Sequence, residues 1–124
     1  MRVMVDMSAT ILHHGHIRLL KKAKEVGNVI VALATDNEIK IHKKLVSLLN
    51  YKNREEILKS IKYVDDVVPS PMIIDDNFLK KHNCKFLIHG DDNQNLVSKS
   101  KLIIFPRTKD ISSSKLTQRN ICSN

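Results

Sequence analysis

Apolar positions along this chain fall into short, nearly unbroken runs separated by stretches with helical spacing. Arg2 to Met7 (RVMVDM) and Asn28 to Ala34 (NVIVALA) are rich in β-branched residues and barely alternate, the pattern of strands covered on both faces of a parallel sheet. Between them, His16 to Val26 puts Ile17, Leu19, Leu20, Ala23 and Val26 on one helical face and Lys21, Lys22, Lys24 and Glu25 on the other. Gly27 stands where a helix C-cap glycine belongs. The opening unit therefore reads as strand, helix, strand.

The same alternation continues to the end of the chain. Asn53 to Tyr63 is a second amphipathic helix with Ile57, Leu58 and Ile61 inward, and Val64 to Val68 a third strand, after which Pro69 and Pro71 mark a connection. Asp75 to His82 is a short helix whose acidic start suits the helix dipole. Lys85 to His89 and Lys101 to Phe105 are a fourth and a fifth strand, the latter ended by Pro106, and Ser112 to Asn120 forms a last helix with serine caps at hand. Asp36 to Asn50 is the longest piece without an assigned element, a length that points to a functional loop. The order predicts one α/β domain over residues 1–124, a Rossmann-like doubly wound parallel sheet of about five strands. A ligand is then expected at the carboxyl ends of the strands, among the loops Ser8 to His14, Asp36 to Asn50, Gly90 to Ser100 and Pro106 to Ser112.

Charge narrows the class of partner. A net charge of +8 favours an anion. Yet lysine outnumbers arginine sixteen to five, aromatics make up 4% and tryptophan is missing, which argues against a base-stacking platform and hence against nucleic acid. Two cysteines, Cys84 and Cys122, are too few for a disulfide framework or a thiolate zinc site, so reduced thiols and a cytoplasmic location are expected. The start MRVMVDMSAT turns polar at Asp6 and does not read as a signal peptide, and no apolar run is long enough for a membrane span.

Half of the six histidines crowd into ILHHGHIRLL, residues 11–20, across the first strand-to-helix loop and the first helical turn. His13 and His16, three residues apart, can face the same point, while Gly15 lets a ligand approach the backbone. A helix start offers N–H groups and partial positive charge, and two imidazoles there would hydrogen-bond a phosphate. Chelation of a metal by this cluster is disfavoured, because adjacent ligands point apart and no nearby carboxylate or thiolate completes a set. One histidine serving merely as a cap is the plainer alternative.

His13-His14-Gly15-His16 after strand one resembles the H-x-G-H signature of the nucleotidyltransferase superfamily that includes the cytidylyltransferases. Arg107-Thr108-Lys109-Asp110-Ile111-Ser112-Ser113-Ser114 looks like the cytidylyltransferase motif R-T-x-G-I-S-T-[TS]. The likeness also takes in Thr35-Asp36, Arg54, Lys62-Tyr63-Val64-Asp65 and Gly90-Asp91-Asp92, and is closest to compact bacterial enzymes of the glycerol-3-phosphate cytidylyltransferase type. It implies transfer of CMP from CTP to a small phosphate monoester, with release of pyrophosphate and a CDP-linked product, in an enzyme acting as a homodimer. It further implies that His13, His16, Lys44 and Arg107 act on the phosphates, Lys43 being a second lysine candidate in the same loop. Ser8, Ala9, Gly15, Asp91, Thr108, Ile111 and Ser112 to Ser114, with Arg107, are then nucleotide-binding, and Arg54 and Asp36 acceptor-binding. Mg2+ is expected with CTP, because triphosphate chemistry requires charge balance, and few protein ligands need hold it.

Two departures stand out. The family pattern G-[ST]-F-D before the histidines is Met7-Ser8-Ala9-Thr10 here, and Asp110 replaces a glycine in the second motif. Asp6 is expected to replace part of the missing carboxylate. Alternatives left open are another acceptor or nucleotide (phosphoethanolamine, a phosphonate, adenylyl transfer) and a nucleotide-binding domain that no longer catalyses.

Overall fold

The computed structural model describes residues 1–10, 12–43, 48–90 and 94–106. Strand β1 (Arg2–Met7) leads into helix α1 (His14–Val26) and strand β2 (Asn28–Ala34), followed by α2 (Asp36–Lys43) and α3 (Tyr51–Lys59). After these come β3 (Asp66–Ser70), α4 (Asp76–Lys81), β4 (Phe86–His89), a 3-10 turn at Lys99–Lys101 and β5 (Leu102–Ile104). All five strands are parallel, in the order β3-β2-β1-β4-β5. The chain winds outward from β1 to β3, then returns to β4 on the other side of β1. The winding therefore reverses between β1 and β4, which is where a doubly wound sheet opens a ligand crevice at its carboxyl edge.

Alternation along the strands supplies both faces. Val3 and Val5 of β1 join Val29, Val31 and Leu33 of β2 on one face, covered by Leu20 and Ala23 of α1 and Leu58 of α3. Met4, Ile30 and Ala32 point the other way, against Ile74, Leu79 of α4 and Leu87. Each fully buried Val, Leu or Ile contributes about 1.5–3 kcal/mol. Burial on both sides is why β1 and β2 read as continuous apolar runs.

Several boundaries differ from the pattern-based expectation. β3 starts later and runs through Pro69, which pairs with Leu33. Proline is tolerated there because β3 is an edge strand and its missing N–H faces no neighbour. α3 starts earlier, with the Asn50 side chain accepting from the Asn53 N–H at 2.9 Å, and ends at Ser60, so Ile61 lies past the helix and Ile57 is 44% exposed. The stretch expected to be a loop after β2 holds α2, started by Thr35, whose Oγ1 accepts from the Glu38 N–H at 3.2 Å. Only Ile39 of that helix is fully buried, too small an apolar stripe to show a period. The expected last helix, Ser112 to Asn120, lies outside the described residues.

Gly27 is also explained differently. Its N–H does reach the Ala23 carbonyl, at 3.1 Å, but its φ of 179° is extended rather than left-handed. Space is what requires the glycine: a Cβ there would lie 2.4 Å from the Met1 carbonyl oxygen. That oxygen accepts from the Asn28 N–H at 2.7 Å and so ties the start of β1 to β2.

Candidate active site

The carboxyl edge of β1 meets the start of α1, and here the histidines take up their positions. His13 is the N-cap, with extended φ and ψ of −142° and 176°. Its Nδ1 accepts from the Gly15 N–H at 3.0 Å, while its own N–H donates to Nδ1 of His16 at 3.2 Å. Both bonds close a reciprocal cap on two of the helix's orphan donors. The rings lie 4.2 Å apart, centroid to centroid, and His14 is exposed.

This arrangement fixes the chemistry of both rings. A Nδ1 that accepts from a backbone N–H cannot carry a proton, so each neutral imidazole is protonated at Nε2 and presents that N–H as a donor. Neutrality is reinforced by the surroundings. The His16 pKa is pushed down to about 4, first by burial and then by His13 and Lys43. Burial, then His14, lowers that of His13. Two neutral donors at the positive end of a helix are suited to the oxygens of a polyphosphate.

The preceding loop is held from below. Lys43 Nζ, at the end of α2, lies 2.8 Å from Ser8 Oγ. Ala9, 7% exposed, adopts a left-handed φ of 53°. Arg54, expected from the resemblance to bind the acceptor, is 1% exposed, and its guanidinium binds protein oxygens. Nη1 donates to Ser8 O at 2.7 Å and Ala34 O at 2.8 Å, Nε to Leu49 O at 3.2 Å, and Nη2 to Asp36 Oδ1 at 2.7 Å. Asp36 also accepts from the Tyr51 N–H at 3.1 Å, and that bond, followed by Arg54, lowers its pKa.

Across the reversal point, Asp6 at the end of β1 and His89 at the end of β4 are 2.5 Å apart, Oδ1 to Nδ1. Asn95 Nδ2 donates to the other Asp6 oxygen at 3.0 Å, and Asn95 Oδ1 accepts from the Ile74 N–H at 2.7 Å. Sequence reasoning singled out Asp6 but not His89 or Asn95. The available signal for His89 was positional, a polar residue closing a buried strand at the sheet's carboxyl edge.

The described residues thus bring together Ser8, Ala9, His13, Gly15 and His16, with Lys43, Arg54 and Asp36 supporting them. Lys44, Asp91, Arg107, Thr108, Ile111, Ser112, Ser113 and Ser114 lie outside the described residues. Among the described residues no group of three His, Cys, Asp or Glu side chains is placed to hold a metal ion. No described helix is long and apolar enough to cross a membrane.

The family model for cytidylyltransferase-like proteins matches residues 8–119. The chain belongs to the cytidylyltransferase-like family. This cytidylyltransferase-like protein is 39% identical to glycerol-3-phosphate cytidylyltransferase of Staphylococcus aureus over 127 aligned residues, covering 94% of this chain and 92% of the relative. It is 31% identical to the Bacillus subtilis enzyme of the same name over 118 residues, covering 87% and 88% of the two chains. Membership and these relatives make it a nucleotidyltransferase. A solved structure, the lipopolysaccharide core biosynthesis protein of Thermoplasma volcanium, superposes with a TM-score of 0.72 at 20% identity, over 87% of this chain and 98% of the other. That likeness concerns the fold.

Proposed function

We propose that this protein transfers CMP from CTP to a small phosphate monoester of the glycerol-3-phosphate type. An acceptor phosphate oxygen bonds to the α-phosphorus of CTP as the bond from that phosphorus to the bridging oxygen breaks. Pyrophosphate leaves, and the product is a CDP-linked alcohol. The observation that carries this reading is the pair of neutral Nε2–H donors at the start of α1, in a chain whose full-length relatives are named for that reaction.

Phosphoryl-type transfer asks the protein mainly for positioning and for stabilisation of charge on phosphate oxygens. His13 and His16 supply two donors toward those oxygens, and the α1 terminus supplies its partial positive charge. With each Nδ1 held as an acceptor, the two rings act on the phosphates as neutral Nε2–H donors. Lys43, already at Ser8 Oγ, adds a cation to the same loop. Lys44, Asp91 and the segment from Arg107 to Ser114 are proposed to complete the nucleotide site, on the motif likeness alone. Mg2+ is proposed to arrive with the triphosphate and neutralise its oxygens. The described carboxylates at the crevice, Asp6 and Asp36, are engaged by His89, Asn95 and Arg54, and offer no ready-made cage. A cytoplasmic homodimer is the proposed working form.

The test is pyrophosphate release from CTP and from ATP, each with Mg2+, against glycerol-3-phosphate, phosphoethanolamine, phosphocholine and a phosphonate. Release with CTP and glycerol-3-phosphate supports the reading. Release with another acceptor or with ATP replaces it by that chemistry, and tight CTP binding with no release in any combination makes the protein a binding domain.

A further inference from the structure

Arg54 lies beneath the crevice, and its geometry assigns it a role distinct from substrate contact. The chain turns through Ala9 at φ 53°, a conformation that a residue with a Cβ keeps only when its surroundings hold it. Arg54 provides the hold, with Nη1 at 2.7 Å from Ser8 O and 2.8 Å from Ala34 O. Nε to Leu49 O and Nη2 to Asp36 Oδ1 fix the guanidinium plane in turn, and the side chain is fully buried. In a trans peptide the carbonyl and the following N–H point in opposite directions. With Ser8 O drawn onto Arg54, the Ala9 N–H is turned away from the guanidinium. The arginine also ties the end of β2 and the entries of α2 and α3 to this peptide.

We propose that Arg54 is a positioning residue for the nucleotide: it sets the Ser8–Ala9 peptide and the left-handed turn at Ala9 that present the first loop to the triphosphate, and it does not touch the acceptor. The proposal rests on the CTP site described above. It differs from a phosphate grip in what should rescue its loss, because glycine adopts the left-handed turn without support.

The experiment compares the wild-type protein with Arg54→Lys, Ala9→Gly and the double variant. CTP affinity is measured by calorimetry without acceptor, acceptor KM by pyrophosphate release, and loop order by amide exchange at Ser8 to Thr10. Arg54→Lys should weaken CTP binding about tenfold or more, leave acceptor KM within about twofold, and speed exchange in the loop. Ala9→Gly added to Arg54→Lys should restore much of the CTP affinity, which a role confined to overall stability would not produce. If Arg54→Lys does not fold, Asp36→Asn removes the charge that holds Nη2 and should move the same readouts in the same direction. A raised acceptor KM with unchanged CTP affinity, or no recovery from glycine, overturns the proposal. If the wild-type protein transfers CMP to no acceptor, the cytidylyl-transfer reading fails by itself. Exchange at Ser8 to Thr10 then still decides the role of Arg54, and equal exchange in variant and wild type overturns it.

Discussion

The backbone N–H of His13 donates to Nδ1 of His16 at 3.2 Å, so the residues facing the crevice are also the cap of the helix that carries them. With Gly15 N–H on Nδ1 of His13, both rings are left as Nε2–H donors. Capping and phosphate binding, which looked like rival roles for these histidines, are here compatible, because each ring uses a different nitrogen for each.

That division of labour separates two substitutions. His16→Gln keeps a side chain able to reach back to the His13 N–H, whereas His16→Ala removes cap and imidazole together. Turnover should fall on the order of a hundredfold or more in both. Thermal denaturation should show a loss of about 1 kcal/mol in the alanine variant alone. Wild-type turnover in His16→Gln would remove the imidazole from the mechanism.

Stability should depend on pH through the same residue. The His16 pKa falls from its ordinary 6.5 to about 4 in the folded protein, so above 6.5 neither state binds the proton and the ring contributes no pH dependence. As pH drops from 6.5 toward 4, the unfolded chain takes up a proton that the folded chain refuses, and stability is lost. His13 and His82, both lowered chiefly by burial, add to the slope. Urea midpoints measured across this window should decline in the wild type and decline less in His16→Gln. Parallel curves would show that His16 is not held neutral by the fold.

Asp6 should matter through His89. The carboxylate, itself held by Asn95, orients that ring at the β1/β4 crevice, so Asp6→Ala should lower kcat/KM about tenfold or more while the sheet, held by Val3, Met4 and Val5, stays folded. Unchanged kcat/KM would confine the pair to a structural role.

Gly27→Ala tests a purely steric claim. The added methyl would sit 2.4 Å from the Met1 carbonyl oxygen, and relief requires moving the start of β1. A cost of about 1–3 kcal/mol is expected, read as a lower urea midpoint with unchanged slope. An unaltered midpoint would mean that the terminal strand yields freely.

Where the physics is local, the sequence was readable. β1 and β2 could be bounded to the residue because burial on both faces removes alternation, and the histidine cluster could be placed at the first strand-to-helix turn, although α1 begins at His14 rather than His16. Contacts distant in sequence were harder. Arg54 looks like a surface arginine until one notes that it lies one turn before the buried Leu58, and hence on the inward face of α3. Its partners Ser8 and Ala34 are 46 and 20 residues away, and no periodicity encodes them. Lys43, at Ser8 Oγ, was one of two adjacent lysine candidates, and only the course of α2 brings it to the loop. The third strand was displaced because Pro69 looks like a strand breaker unless the strand is known to lie at the edge.

Transfer of CMP at the α1 terminus can be followed by phosphorus NMR of a reaction mixture. With CTP, Mg2+ and glycerol-3-phosphate, the wild-type protein should convert the triphosphate signals into those of free pyrophosphate and a CDP-linked diester, while His16→Gln should leave CTP intact. Persistence of CTP with the wild type, or equal conversion by the His16→Gln variant, would contradict the account.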